Sequence, residues 1–98
     1  MAVGTLGVTV LNATGLKAMD RNGFSDPYVK VSVAGVTKKT KTMKKTLSPR
    51  WDEFMEFPGR LSDLIASPLE LRVFDYDTLS RDDPMGAAEI SLHELQSR

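Results

Sequence analysis

Apolar and polar residues alternate along most of this chain in short runs, and turn residues cut the runs apart. Alternation with a period of two marks a half-buried strand. The first run is Thr5–Leu11, with Leu6, Val8 and Val10 on one face. The second is Tyr28–Val33, with Val29, Val31 and Val33 directed inward. A third, from Val36 to Thr46, is so polar that it predicts a solvated edge strand. The fourth is Trp51–Phe57, closed by Pro58-Gly59. The fifth is Leu69–Asp77, with Leu69, Leu71 and Val73 inward, and the sixth is Gly86–Leu92, with Ala88, Ile90 and Leu92 inward. Leu61, Leu64 and Ile65 have helical spacing and predict one turn of helix between the fourth and fifth strands. Six short strands without a long helix predict an all-β fold, an antiparallel two-sheet sandwich. With 98 residues and no repeat or linker, residues 1–98 read as one domain.

Charge changes this picture through its distribution. The 13 basic and 13 acidic residues cancel, but six of the basic ones fall between Lys38 and Arg50. Aspartates gather at 20–26 and again at 75–83. A neutral chain with segregated charge has poles, each able to recruit its own partner. Cysteine is absent, which excludes disulfides, thiolate chemistry and cysteine zinc sites, and fits a cytoplasmic setting. No leader-like apolar run opens the chain, and no run approaches the roughly 18 residues of a spanning helix. Membrane contact, if any, is expected to be peripheral.

The first acidic cluster is Met19-Asp20-Arg21-Asn22-Gly23-Phe24-Ser25-Asp26-Pro27. Asn22-Gly23 tolerates positive φ and predicts a tight turn, so Asp20 and Asp26 flank it and can face each other. The second cluster is Asp75-Tyr76-Asp77-Thr78-Leu79-Ser80-Arg81-Asp82-Asp83. Asp75 and Asp77 continue the parity of Leu69, Leu71 and Val73. Their Cα atoms are then about 6.6–6.8 Å apart on one side of the strand, able to reach one cation or bracket two. Aspartates and loop carbonyls match calcium, which accepts a forgiving shell of oxygens, better than magnesium, which demands a tight octahedron. An EF-hand is excluded: its loop needs Gly at the sixth position and Glu at the twelfth. Counting from Asp20 these are Ser25 and Val31; counting from Asp75 they are Ser80 and Gly86. Loop aspartates are commonly just solvated. Two clusters brought together, however, would strain the fold by mutual repulsion without a cation.

These stretches, together with Leu16-Lys17-Ala18-Met19-Asp20, Ser25-Asp26-Pro27-Tyr28-Val29-Lys30-Val31, Lys39-Thr40-Lys41-Thr42 and Thr46-Leu47-Ser48-Pro49-Arg50-Trp51-Asp52-Glu53, resemble a C2 domain. C2 domains are the calcium- and phospholipid-binding modules of protein kinase C and synaptotagmins. The resemblance covers essentially the whole chain and implies a Greek-key β-sandwich. It implies calcium ligands at Asp20, Asp26, Asp75, Asp77 and Asp83, with carbonyls of Met19, Tyr76 and Arg81 and an accessory oxygen from Ser80. Two calcium ions, or three, are then expected. Asp82 matches no ligand position and is expected to be solvated. Ser48 and Asp52 stand where the family often has asparagine, which bears on a turn and not on the metal site. The family has eight strands and the pattern accounts for six. The chain is therefore expected to be C-terminally incomplete, with the edges of its first and third strands open to pairing with another chain.

Lysines crowd the third strand. On a regular strand Lys39, Lys41 and Lys45 share one face, and Lys38 and Lys44 the other. A solvated edge that blocks aggregation is one reading. The other is a patch for phosphoinositides, favoured by the likeness of Lys39-Thr40-Lys41-Thr42 to the family's lysine-rich site. Nucleic acid is disfavoured, because no stacking aromatics interleave the lysines. Arg21, Phe24, Leu79 and Arg81 are candidates for lipid contact at the loop tips. Trp51 reads as core and His93 as ordinary surface. With one histidine, remote from the acids, a metal-dependent hydrolase is disfavoured and no enzyme is expected. The expected function is calcium-dependent binding to anionic membranes containing phosphatidylserine or phosphoinositides, at the cytosolic face. The alternative is a calcium-insensitive protein-interaction module.

Overall fold

Where β-branched residues recur at every second position, the backbone extends and pairs. The computed structural model of the chain describes residues 3–18 and 23–92. Six strands form: β1 (Val3–Asn12), β2 (Pro27–Val33), β3 (Val36–Lys39), β4 (Arg50–Arg60), β5 (Leu69–Asp75) and β6 (Asp83–Ile90). One helical turn, α1 (Leu61–Leu64), links β4 to β5. Among the described residues β1 pairs with β4 in one sheet, and the other sheet has the order β3-β2-β5-β6, with every pairing antiparallel. The core lies between the sheets. Val29, Val31 and Val33 of β2 meet Trp51, Met55 and Phe57 of β4, with Leu64, Ile65, Leu69 and Leu92 closing it. Burying each large apolar side chain contributes about 1.5–3 kcal/mol.

The β2–β3 hairpin turns on Ala34 (φ 49) and Gly35 (φ 82). Positive φ at both central residues matches the right-handed twist of the flanking strands. Asp52 in β4 also has positive φ, at 48, where the β1–β4 register slips between Val10 and Asn12. An acidic side chain tolerates this left-handed region better than most residues do.

The fifth strand ends at Asp75 and not at Asp77, and three further expectations need correction. The third strand ends at Lys39 and not near Thr46. Thr40 is the reason: its buried hydroxyl accepts the N–H of Val29 at 2.9 Å, taking a place that the backbone ladder would fill. The chain then follows β2 through isolated bonds, Met43 N–H to Pro27 O at 3.0 Å and Thr46 N–H to Ser25 O at 2.8 Å. Lys39, Lys41 and Lys45 therefore do not share a strand face. Second, Pro58-Gly59 does not close β4, which runs on to Arg60. Among the described residues β4 pairs only with β1, and an edge strand tolerates a proline without an N–H. Third, β6 begins at Asp83, and Ala88 and Ile90 are exposed although they sit opposite the inward residues Leu71 and Leu69. Two strands facing four leave β6 uncovered.

That mismatch opens an apolar groove of about 300 Å³ beside β1, lined by Val8, Val10, Trp51, Leu71, Val73 and Ile90 among others. Trp51 is buried, and its indole Nε1–H has no hydrogen-bond partner among the described residues. Among the described residues, β1 and β3 each pair on one side only. No helix among the described residues is long and apolar enough to cross a membrane.

Candidate functional site

Asp75 is the last residue of β5, and the register sets it opposite Pro27 on β2 and Asp83 on β6. This is why two sequence clusters far apart arrive at one end of the sandwich. Asp75 is 1% exposed. Its Oδ1 accepts the N–H of Asp26 at 2.8 Å, and the N–H of Tyr76 returns to Asp26 O at 2.9 Å. Asp26 Oδ1 in turn accepts the N–H of Lys45 at 2.7 Å, which fastens the basic segment to the acidic end. Ser25 is fully buried beneath, its hydroxyl donating to Lys17 O at 2.9 Å.

Asp77 shapes its own loop. Its Oδ1 accepts the Leu79 N–H at 2.8 Å and its Oδ2 accepts the Ser80 hydroxyl at 2.9 Å. These donors hold its carboxyl below the usual carboxylate range, the Leu79 N–H contributing most. Ser80, expected as an accessory oxygen, is thus bonded to a candidate ligand. Leu79 stands 94% exposed at the tip, with Tyr76 and Phe24 partly exposed.

Asp82 corrects the expectation of a solvated side chain. Its Oδ2 accepts the hydroxyl of Tyr28, and its Oδ1 accepts the Asp77 N–H at 3.0 Å. The Tyr28 hydroxyl depresses the Asp82 carboxyl most, and the Asp77 N–H adds to it. Burial, with help from Asp82, pushes the Tyr28 phenol up to about 12. No spacing rule singles out Asp82, because its partner lies 54 residues away on another strand.

Met19, Asp20 and Arg21 lie outside the described residues, as does His93. Among the described residues no three acidic side chains form a ready cage for a metal ion. The donor set nonetheless fits a hard cation. Asp26, Asp75, Asp77 and Asp83 supply carboxylate oxygens at one end, and a pocket of about 350 Å³ lies among Asp26, Lys44, Lys45, Tyr76, Asp77 and Thr78. Oxygen-only ligands suit calcium, and no thiol or described imidazole competes.

A second feature lies on the outer face of the four-stranded sheet. Tyr28 and Phe74, cross-strand partners, stack at 5.7 Å and 21°. Lys30 Nζ lies 4.9 Å from the Phe74 ring centre, Arg72 Cζ 5.9 Å from it, and Lys39 Nζ 5.9 Å from the Tyr28 ring. Of the lysines singled out in sequence, only Lys39 joins this group. Lys30 and Arg72 were missed, although both alternate outward on their strands. Lys38 goes the other way, over the ring of Phe57, and donates to Glu56 O.

The sequence profile of the C2 domain family matches residues 4–98. The chain belongs to the C2 domain family. This C2 domain is 38% identical over 100 residues to Rabphilin-1 of Caenorhabditis elegans, covering 97% of the chain and 9% of that relative. It spans about a tenth of the length of the relatives it matches. Its fold superimposes on the C2A domain of a plant Extended Synaptotagmin 1 with a TM-score of 0.83 and 32% identity, covering 94% of this chain and 71% of that one. It also superimposes on the calcium-bound C2A and C2B domains of Extended-Synaptotagmin 2 with a TM-score of 0.80 and 29% identity, covering 96% and 36%.

Proposed function

We propose that this C2 domain docks on anionic phospholipid membranes in a calcium-dependent way, with its acidic loops facing the bilayer. The observation that carries the reading is the gathering of Asp26, Asp75, Asp77 and Asp83 at one end, on loops whose tip residue Leu79 is 94% exposed. The calcium-bound form of a relative supports calcium as the cation. Asp20 would join the four other aspartates, with carbonyls of Met19, Tyr76 and Arg81 and the Ser80 hydroxyl as further oxygens, for two ions or three. The five aspartates sum to about −5, and two calcium ions would return about +4, so repulsion from an anionic surface falls away. The ions would also supply open coordination positions for lipid phosphate oxygens. Leu79 is then free to enter the headgroup region, with Arg21 as a second contact.

The stacked Tyr28–Phe74 pair favours a second site on the same domain. Lys30, Lys39 and Arg72 concentrate positive charge there, which supports phosphoinositide binding independent of the calcium loops. Lys41 and Lys45 would contribute from the segment alongside. The reading makes the domain a peripheral module on the cytosolic face of membranes. The open edges of β1 and β3 leave room for pairing with a strand of another chain.

Sedimentation with phosphatidylserine vesicles tests the first reading. Binding is expected with calcium, is lost with chelator, and weakens with salt. Leu79→Ser is expected to weaken it about tenfold or more, the loss of a buried leucine. Equal binding to neutral and anionic vesicles, with or without chelator, overturns the reading in favour of a calcium-insensitive module.

A further inference from the structure

We infer that Tyr28 and Asp82 form a latch that positions the Asp77 loop for cation binding, Asp82 acting through backbone geometry and not as a ligand. The inference rests on the calcium reading above and deepens it.

The loop from Tyr76 to Asp82 projects past the last ladder pair, Asp75 with Asp83, and has no strand partner of its own. Something else must hold Asp77 in place. Asp82 does so from both oxygens: Oδ1 grips the Asp77 N–H, and Oδ2 is gripped by the Tyr28 hydroxyl. Tyr28 is itself packed into the sheet. It is buried at 5% exposure on β2 and stacked on Phe74 of β5, so the latch is anchored in the sheet, not in another loop. Lys30, nearby on the same strand, adds attraction for the Asp82 charge. With the Asp77 N–H fixed, the Asp77 carboxylate is aimed by the Leu79 and Ser80 donors. Without the latch, ordering this loop falls to the incoming cation, and the affinity drops by that cost.

The test compares wild type with Tyr28→Phe, Asp82→Asn, Asp82→Ala and the Tyr28→Phe/Asp82→Ala double variant. Tyr28→Phe removes only the hydroxyl and keeps the stacked ring, so the fold survives it. Calcium affinity is read by titration calorimetry, and hydrogen exchange at the Asp77 amide is read in chelator. Tyr28→Phe is expected to weaken calcium about tenfold or more, the loss of one hydrogen bond to a charged group. Asp82→Ala should cost more, Asp82→Asn less because its amide oxygen still accepts, and the double variant no more than Asp82→Ala alone. The Asp77 amide should exchange faster in Tyr28→Phe and Asp82→Ala, while the Val31 amide in the core does not. Wild-type affinity in Tyr28→Phe and Asp82→Ala, or fully additive losses, overturns the latch while the calcium reading stands. No calcium heat from wild type overturns the calcium reading itself, and the positioning role with it, whatever the exchange result.

Discussion

Asp75 Oδ1 accepts the backbone N–H of Asp26 at 2.8 Å across 49 residues of sequence, joining the end of β5 to the start of β2. One carboxylate thus fastens the fold and stands as a candidate calcium ligand. The two duties separate by substitution. Asp75→Asn keeps an acceptor for the Asp26 N–H and loses the charge. In chelator its melting temperature should stay near that of wild type, and the rise on adding calcium should vanish. Asp75→Ala leaves the Asp26 N–H without its acceptor and should cost about 1–3 kcal/mol in chelator. Calorimetric melting with and without calcium distinguishes the two.

The cations over Tyr28 and Phe74 predict a division of labour among the lysines. Lys30→Ala with Lys39→Ala should weaken binding to phosphoinositide vesicles by about 1 kcal/mol per residue, and leave most of the calcium-dependent rise in melting temperature. Lys38→Ala should leave vesicle binding unchanged. It should instead cost about 0.5–1 kcal/mol of stability, because Lys38 caps Phe57 and the Glu56 carbonyl. Flotation assays on the double variant and on Lys38→Ala, paired with denaturant melts, check this.

Tyr28 makes stability depend on pH at the alkaline end. Its folded-state value of about 12 lies above the ordinary 10.0, so its contribution is complete below pH 10 and is lost as pH rises from 10 through 12. Tyr28→Phe should remove that loss. Asp77 and Asp82 act in the opposite sense. Their folded-state values lie below the ordinary carboxylate range, so their contributions are present above about pH 4 and are lost as pH falls through those lower values. Urea melts from pH 2 to 12, with tyrosinate absorbance followed above pH 9, read both limbs.

Trp51 is the single tryptophan, and its buried indole N–H has no partner among the described residues. Such a group costs about 1–3 kcal/mol, which offsets part of what its ring contributes by burial. Trp51→Phe should therefore change stability by only about 1 kcal/mol, whereas Trp51→Ala should cost about 3–5 kcal/mol. Denaturant unfolding of the two variants, followed by circular dichroism, gives both numbers.

Alternation was enough to locate the strands whose inward positions are apolar, because Val29-Val31-Val33 or Leu69-Leu71-Val73 is a local signal with one geometric solution. It also determined which acids are available: Asp75 carries the inward parity of β5 to the loop end, and the motif resemblance named its companions. Alternation could not say where β3 stops. That was decided by Thr40, whose hydroxyl displaces a ladder bond with Val29, a contact between two strands. Nor could it say that Ile90 would be exposed, because inward direction is local while burial needs an opposite sheet, and among the described residues two strands face four. Asp82 was beyond reach for the same reason. Its meaning lies in a tyrosine on β2 and a backbone N–H five residues back, brought together only when β5 pairs with both β2 and β6. Side-chain direction is set by neighbours in sequence, but hydrogen-bond partners and burial are set by whatever the tertiary fold brings alongside.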